Sequence, residues 1–444
     1  MFEQLYRPVR IEPLATFRII FGALMVFSTI RFMALGWIED HFVQPILHFK
    51  YYGFEWVEPL PLWGMYIVHI VMLLAAIGVM IGYRYKIAAF LLFVTFTYCE
   101  LIDVTYYLNH YYFVSLMCGI MIVVPAHRCC SFDVWLKRVT ATNNVPFWTI
   151  FLVKFQIAIV YIYAGIAKIN SSWLLDAMPL RIWLPANSHL PIIGWLFNYA
   201  QTAYVFSWAG MLYDLTIPFW LMYQPTRIFA YVIVLVFHTL TGLMFQIGIF
   251  PIVMSCAVLI FFSNAFHQKI IDFINQWANR FFSKHNFEFS NYPIQNRTWI
   301  TISLLTYVAF QLVFPLRCYL YPGNMYWTEQ GYRFGWRVML VEKLGDAVFF
   351  IKDKKTGKEF EVINSEFLNE HQLKQVSFQP DLILQFAHFL KKHYEQQGMK
   401  DVAVRAQVYI TMNGEKAKLY FDPQLDLTQI QDSWKPYTWL YPFP

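Results

Sequence analysis

Three ionisable side chains lie in segments of the sequence that are otherwise apolar. Lys168 follows the run "VKFQIAIVYIYAGIA", His110 begins the run that continues as "YYFVSLMCGIMIVV", and His238 lies within "RIFAYVIVLVFHTLTGLM". An ionisable group inside a membrane span costs about 2.5–3.5 kcal/mol, so each position is a candidate functional site. A lysine in an apolar site loses its proton readily, because burial disfavours the charged form. Lys168 is therefore a candidate general base.

Each of these groups also has a purely structural explanation. A lysine near the end of a span commonly anchors it at the lipid headgroups, and Lys168, Lys154 and Arg18 all fit that role. A lone histidine on an apolar helix often only forms a hydrogen bond to a neighbouring helix. Asp214 fits an ion pair with an arginine, or a hydrogen bond to a hydroxyl, between helices. The residue types alone leave the structural and the chemical interpretations open.

The composition is that of a membrane protein. Hydrophobic residues make up 58% of the 444 residues and charged residues only 14%, whereas soluble globular chains carry about 25% charged residues. Aromatic residues make up 20%, which agrees with the enrichment of Trp and Tyr at membrane–water interfaces. The net charge of +6 includes no cluster of Lys and Arg, which argues against nucleic acid as a partner. The six cysteines have no zinc-binding spacing, and no metal is expected.

The hydropathy pattern predicts about nine transmembrane helices, since a span needs about 20 mostly apolar residues. The predicted spans are 14–36, 65–83, 87–104, 109–126, 147–167, 200–222, 226–245, 247–264 and 298–317. Cytoplasmic loops collect Lys and Arg. The loops on the side of the N-terminus hold twelve such residues, and the opposite short loops hold three. With nine spans, this bias predicts a cytoplasmic N-terminus and a C-terminal domain in a lumen, or in the periplasm if the membrane is a bacterial inner membrane.

This topology places the three ionisable side chains at one depth. Lys168 ends a span that runs outwards, His110 begins a span that runs inwards, and His238 lies in the outer half of another span. All three are therefore predicted to lie just beneath the extramembrane domain.

After residue 317 the sequence changes character. The segment "DAVFFIKDKKTGKEFEVI" predicts a β-hairpin, and "DVAVRAQVYITMNGEKAKLYFDP" predicts a second one that turns at Asn413–Gly414. Between them, "PDLILQFAHFLKKHYEQQG" predicts an amphipathic helix. The expected fold is an α-helical multi-pass membrane domain, residues 1–317, followed by an extramembrane α+β domain rich in β-hairpins, residues 318–444.

Five segments in order along the chain carry a family resemblance. They are "LATFRIIFGALMVF", "YLNHYYFVSLM", "IVYIYAGIAKINSSW", "FHTLTGLMFQIGIFPIVM" and "YWTEQGYRFGWRV". The first resembles the opening of the horizontally transferred transmembrane domain, and the other four resemble segments of the related vitamin K-dependent γ-glutamyl carboxylases. Lys168 stands where that family has its catalytic lysine.

The resemblance implies a carboxylase that uses reduced vitamin K, a membrane-soluble hydroquinone, with O₂ and CO₂ as co-substrates. Lys168 would deprotonate the hydroquinone, and addition of oxygen would create a base strong enough to remove a γ-proton from a substrate glutamate. Carbon dioxide would then convert that residue into γ-carboxyglutamate, and vitamin K would leave as the epoxide.

Further site residues are expected on the same grounds. The two histidines are expected to assist the lysine in catalysis. The residues expected to bind the cofactor are Asn109, Tyr161 and Asp214. The residues expected to meet the glutamate-containing peptide or protein, where an arginine can pair with a carboxylate, are Trp327, Tyr332, Arg333, Trp336 and Arg337. Anchoring of this aromatic segment at the membrane interface is the structural alternative.

The sequence also departs from the family. The animal enzymes have two adjacent lysines, whereas here Ala167 precedes the single lysine, and their acidic residues are replaced by Asn170 and Ser171. Cys318 stands where a histidine is expected, and the long C-terminal extension is missing. These differences suggest a bacterial homologue with a different protein substrate.

The alternative to a carboxylase is a non-catalytic or quinone-binding scaffold or receptor. The lack of an inverted hydropathy repeat argues against a transporter.

Overall fold

The computed structural model describes residues 2–245, 247–280, 289–294 and 296–443. Within these ranges, the chain up to residue 313 folds as a bundle of helices. The helices are α1 (Glu12–Ala34), α2 (Trp37–Phe42), α3 (Leu62–Ile81), α4 (Tyr85–Ile102), α5 (Asn109–Val123), α6 (Phe132–Trp135), α7 (Phe147–Ala167), α8 (Ser171–Leu174), α9 (Leu180–Ala186), α10 (Ala200–Met222), α11 (Arg227–Met244), α12 (Phe250–Ala257), α13 (Asn264–Ala278) and α14 (Arg297–Val313). Two short strands, β1 (Pro8–Arg10) and β2 (Asn144–Pro146), pair antiparallel beside the starts of α1 and α7.

Six of the described helices are long and apolar enough to cross a membrane: α1, α3, α4, α7, α11, and α14 with its 3₁₀ continuation to Leu320. The segment Phe250–Phe261 and α13 form a pair bent by 112°, which adds a seventh span if the pair crosses once. The predicted count of nine is therefore not confirmed. α5 has only 15 residues, and α10 has the length of a span but carries Gln201 and Asp214.

Arg18 joins the helix ends at one end of the bundle. Its side chain is fully buried, and its guanidinium donates hydrogen bonds of 2.6–3.1 Å to the carbonyl oxygens of Val79, Met80, Ala126 and Cys130. The last carbonyls of a helix have no partner within the helix, and those at the end of α3 find one in Arg18. Arg18 thus stabilises the interior of the bundle and does not reach the lipid headgroups.

The C-terminal part contains a four-stranded antiparallel sheet with the strand order β4-β3-β5-β6. Its elements are α15 (Met325–Thr328), β3 (Lys343–Asp353), β4 (Glu359–Glu361), α16 (Glu370–Val376), α17 (Pro380–Gln396), β5 (Val402–Met412) and β6 (Lys418–Leu419). Both predicted hairpins are present, because β3 pairs with β4 and β5 pairs with β6. α17 packs on the sheet, and the ring of Phe386 meets Phe349 of β3 edge-on, with ring centres 4.9 Å apart.

The C-terminal domain rests on the end of the bundle at which α4 and α7 finish. Gln372 donates hydrogen bonds to the Leu47 carbonyl at 2.7 Å and to the Asp103 carboxylate at 3.0 Å. The side-chain amide oxygen of Gln385 accepts a hydrogen bond of 2.8 Å from the backbone N–H of Lys50. These contacts join the domain to the segments between α2 and α3 and between α4 and α5.

Candidate active site

Four of the predicted site residues line one cavity, which is bounded by α7, α10, α11 and α12. They are Lys168 at the end of α7, Tyr161 on the same helix, Asp214 on α10 and His238 on α11. The rest of the lining is mainly aromatic and aliphatic, and the cavity has a volume of about 150 Å³. The structure therefore brings together the candidate base, one candidate histidine and two of the three residues expected to bind the cofactor.

Lys168 caps the C-terminal end of α7, where backbone carbonyls favour a positive charge. Its Nζ donates a hydrogen bond to Asp214 Oδ2 at 2.7 Å and another to the Ala164 carbonyl at 3.3 Å. The Lys168 and Asp214 side chains are 8% and 6% exposed. A buried charge is costly unless it is paired, so each of these two groups depends on the other.

The approach of Lys168 to Asp214 depends on close packing of α7 against α10 at Gly165. A Cβ atom on Gly165 would lie 2.7 Å from the side chain and 2.8 Å from the backbone nitrogen of Leu215. Small residues allow helix backbones to approach closely, and any larger residue here would separate the two helices. Gly165 thus sets the distance across which the lysine and the aspartate meet.

Tyr161 and His238 form the second polar pair in the cavity. Tyr161 lies two turns before Lys168, on the same face of α7, and its hydroxyl is 2.9 Å from His238 Nε2. The other ring nitrogen of His238, Nδ1, is buried and has no hydrogen-bond partner among the described residues. A buried polar atom without a partner costs about 1–3 kcal/mol, so this nitrogen has an unused capacity for a hydrogen bond.

His110 and Asn109 lie outside the cavity. The His110 ring packs on Phe250 with ring centres 5.3 Å apart, and Phe250 lines the cavity and meets His238 edge-on at 6.0 Å. Asn109 Nδ2 donates a hydrogen bond of 2.7 Å to the Arg337 carbonyl. His110 is thus one side chain away from the cavity, whereas Asn109 fixes the start of α5 to the segment that precedes β3.

The two tryptophans of the expected substrate segment are core residues. Trp327 is 1% exposed and Trp336 is 0% exposed. Trp327 Nε1 donates to the Tyr441 carbonyl at 2.8 Å, and Trp336 stacks on Tyr112 of α5 with ring centres 4.8 Å apart. Neither lines the cavity, and both hold the segment in place; Tyr332 is only partly buried.

Both arginines of this segment already have partners. Arg333 forms an ion pair of 2.5 Å with Asp381 and a hydrogen bond with Gln379. Burial opposes the charge of Arg333, but the Asp381 carboxylate outweighs it and raises the pKa of Arg333. Arg337 is buried, and its Nη2 lies 2.8 Å from Cys318 Sγ. Either guanidinium would have to exchange a partner to bind a substrate carboxylate.

The sequence patterns missed most of the apolar residues that shape the cavity. Trp173 donates from Nε1 to the Ser207 carbonyl of α10 at 2.9 Å, and its ring centre lies 5.3 Å from Lys168 Nζ. Val338 and Met339 line the cavity from the segment before β3. Aromatic and aliphatic residues occur throughout the chain, so their types alone give no signal. The matched segments give one, because Trp173, Phe250 and Val338 lie within them, whereas Met339 lies in none.

Comparison with known protein families gives two matches. Residues 6–266, more than half of the chain, match the HTTM domain, and residues 296–444 match the vitamin K-dependent gamma-carboxylase, lumenal domain. The second match begins one residue before α14, and the boundary at residue 317 stays a prediction. None of the solved structures matches the chain. The two matched domains, one after the other on a bundle of apolar helices, show that the chain belongs to the vitamin K-dependent γ-carboxylase family.

Proposed function

We propose that this membrane protein oxidises a reduced vitamin K-type hydroquinone to the epoxide with O₂ and uses this reaction to add CO₂ to glutamyl residues. The observation that supports the proposal is the position of Lys168 in an apolar cavity beside Asp214, His238 and Tyr161. The cavity is lined by helices of the bundle and by Val338 and Met339 of the segment before β3, a position that suits a ligand from the bilayer and a peptide from the aqueous side.

The cavity residues fit a hydroquinone. The lining is mainly apolar and includes Phe237, Met244 and Met254, which suit an aromatic ring and a prenyl chain. The unpartnered Nδ1 of His238 and the amine of Lys168 suit its two hydroxyl groups. When bound, the reduced quinone supplies the oxygen-dependent chemistry that produces a base strong enough for a glutamyl γ-carbon.

Lys168 must be a neutral amine before it can accept a proton. Asp214 Oδ2 lies 2.7 Å from Lys168 Nζ and can hold the proton that the lysine gives up. In a buried ammonium–carboxylate pair neither charge is well solvated, so the neutral pair of amine and carboxylic acid is accessible. Lys168 is then the base that takes the proton of a quinol hydroxyl, and Asp214 controls the state of that base.

His238 and Tyr161 orient the ligand. The Tyr161 hydroxyl at 2.9 Å fixes one nitrogen of the imidazole ring, so the other nitrogen keeps a constant direction towards a hydroxyl group. His110 acts as a positioning residue, because it reaches the cavity only through Phe250. Asn109 contributes by attaching α5 to the segment before β3.

The glutamyl side chain reaches the cavity from the C-terminal domain. Val338 and Met339 border the cavity at the end of the segment 327–337. On the same side, Trp183 of α9 donates a hydrogen bond to the carboxylate of Glu342. Since the tryptophans and arginines of the segment are engaged with protein partners, they set the shape of this entrance rather than contacting the carboxylate of the substrate directly.

The C-terminal domain lies outside the cytoplasm in this proposal. It rests on the segments between α2 and α3 and between α4 and α5, whereas Arg7, Arg84, Lys86 and Arg128 lie at or near the opposite helix ends. Cytoplasmic segments collect Lys and Arg. The charge asymmetry therefore supports an outside C-terminal domain without reference to the number of spans.

Mass spectrometry of a glutamyl peptide tests the proposal. The peptide is incubated with the purified protein, the hydroquinone, O₂ and bicarbonate, and a mass gain of one carbon dioxide is expected together with vitamin K epoxide. Lys168→Ala should lose both products. Lys154→Ala is the matched control, because Lys154 lies over the ring of Phe261, 5.4 Å from its centre and away from the cavity. A protein that binds the hydroquinone but forms neither product would instead be a quinone-binding scaffold.

A further inference from the structure

A second cavity lies at the same end of the bundle, among α1, α3, α4 and α5 and beside α2. Its volume is about 60 Å³, enough for roughly four to six water molecules or for a small functional group. Much of its lining consists of aromatic rings and methionine, including Phe32, Phe42, Phe96, Tyr106, Tyr111 and Met72.

Glu100, in the last turn of α4, lines this cavity. The residue is partly buried, and no hydrogen-bond or ion-pair partner for its carboxylate is found among the described residues. The neighbouring Asp103 differs, because its carboxylate accepts hydrogen bonds from Thr105 at 2.7 Å and from Gln372 at 3.0 Å. Glu100 thus lines a mainly aromatic cavity without a counter-charge among the described residues, which is costly for a carboxylate.

The nearby basic side chains do not supply that charge. His41 stacks on Tyr106 with ring centres 4.0 Å apart. Burial lowers the pKa of His41 to about 4, so this imidazole is neutral at pH 7. Arg31 places its guanidinium over the ring of Trp37, 4.6 Å from the ring centre. The cavity thus combines several aromatic faces with one uncompensated carboxylate.

We propose that this cavity binds the ammonium group of an organic cation, with Glu100 as its counter-charge. Aromatic faces attract ammonium groups, and methionine adapts to their shape. Calcium and magnesium ions need about six oxygen ligands, and the described part of the chain holds no group of three His, Cys, Asp or Glu residues suited to a metal. Two kinds of ligand carry such an ammonium group: a lipid with a choline or ethanolamine headgroup, and a free amine.

The start of α5 separates this cavity from the candidate active site. Tyr111 lines the second cavity, whereas its neighbour His110 packs on Phe250 of the first. The rings of His110 and Tyr111 are in contact, with centres 4.6 Å apart. Ammonium binding can be measured without turnover, so its test does not depend on the carboxylase reaction.

The experiment measures the thermal unfolding midpoint of the full-length protein in a detergent without an amine headgroup. Tetramethylammonium, choline and ethanolamine chloride are compared with potassium chloride at equal ionic strength. A second series adds phosphatidylcholine or phosphatidylethanolamine, with phosphatidylglycerol as the control lipid. Glu100→Gln is the test variant, and Glu361→Gln, which removes an exposed carboxylate of β4, is its matched control. Phe96→Leu removes one aromatic face as a second test.

An ammonium compound is expected to raise the midpoint of the wild type and of Glu361→Gln progressively with concentration, because a ligand that binds only the folded state stabilises it. Glu100→Gln should lose this response while its ligand-free midpoint rises, and Phe96→Leu should need a higher concentration. A response to free amines identifies a soluble ligand, and a response confined to the two amine lipids identifies a headgroup. The proposal is overturned if potassium chloride and phosphatidylglycerol act equally, or if Glu100→Gln keeps the full response.

Discussion

Lys168 and Asp214 stand on different helices and meet at 2.7 Å inside an apolar cavity, and neither side chain is more than 8% exposed. From the sequence alone, Lys168 is an interfacial lysine whose loss costs little stability. The ion pair makes it a buried charge, and removal of one partner leaves the other uncompensated. The same substitution can therefore affect both catalysis and stability at this site. Loss of activity through lost chemistry must be distinguished from loss of activity through unfolding.

Lys168→Ala is expected to abolish epoxide and carboxylated product and to lower the free energy of unfolding by about 3–5 kcal/mol, since Asp214 then remains buried without a partner. The double variant Lys168→Met/Asp214→Asn removes both charges and should regain most of the stability while staying inactive. Denaturant unfolding and product analysis measure the two effects separately. A double variant that forms epoxide at the wild-type rate would exclude Lys168 as the base.

Tyr161→Phe is expected to lower the rate of epoxide formation about 10–100-fold, because the imidazole of His238 loses the hydroxyl that fixes its orientation. The unfolding midpoint should fall modestly, because His238 Nε2 is left buried without its partner at a cost of about 1–3 kcal/mol. His238→Ala should be affected more strongly, and Tyr231→Phe, on α11 outside the cavity, should behave as the wild type. Normal epoxide formation and carboxylation by both Tyr161→Phe and His238→Ala would remove this pair from the mechanism.

Sequence reasoning succeeded where the signal is local. The two hairpins follow from alternating apolar residues around Lys-Lys-Thr-Gly and Asn413–Gly414, and α17 follows from its amphipathic pattern and Pro380. Both kinds of signal span fewer than about 20 residues. The depth argument for Lys168 and His238 is not local in this sense, because it depends on the direction assigned to each span. The structure places the two side chains on the lining of one cavity.

The features that the sequence could not predict depend on contacts between distant parts of the chain. Arg18 meets carbonyls 61 to 112 residues away, and Arg333 meets Asp381 48 residues away. Hydropathy cannot distinguish a guanidinium that binds such partners from one that reaches headgroups or substrate. The predicted count of nine spans was not confirmed for a related reason, since hydropathy gives no sign of the 112° bend between Phe250–Phe261 and α13.

Arg333→Ala is expected to destabilise the C-terminal domain by about 1–3 kcal/mol, because Asp381 and Gln379 lose their partner in a half-buried position. The Michaelis constant for a glutamyl peptide should stay within about twofold of the wild type in folded protein. Arg333→Ala/Asp381→Ala should recover part of the stability. A large rise of this constant at an unchanged unfolding midpoint would return Arg333 to the role of a substrate ligand.

The orientation of the protein can be tested by labelling cysteines in intact cells with a maleimide that does not cross membranes. Lys355→Cys lies in the exposed turn between β3 and β4, and Lys137→Cys lies in an exposed segment at the other end of the bundle. We expect labelling at 355 in intact cells and at 137 only after permeabilisation, because the arginine- and lysine-rich end faces the cytoplasm. The reverse pattern would place the C-terminal domain inside.

Acidification is expected to destabilise the protein through His41. Burial lowers the pKa of His41 to about 4 in the folded protein, whereas an exposed histidine titrates near 6.5. Between these two values the unfolded chain binds a proton that the folded protein does not bind. The stability that the neutral imidazole contributes is therefore complete above about pH 6.5 and is lost as the pH falls towards 4.

Unfolding midpoints from pH 7.5 to 4.5 measure this effect in the wild type and in His41→Gln. One proton that the unfolded chain binds and the folded protein does not bind changes the free energy of unfolding by at most about 1.4 kcal/mol per pH unit. His41→Gln should lack this contribution to the acid-induced loss of stability. His189→Gln, which replaces an exposed histidine, should keep the wild-type slope. Because His41 stacks on Tyr106 beside Glu100, its protonation in the folded protein would also place a positive charge in the second cavity, and ammonium binding should weaken as the pH approaches 4. Equal slopes for the wild type and His41→Gln would show that other groups control acid stability.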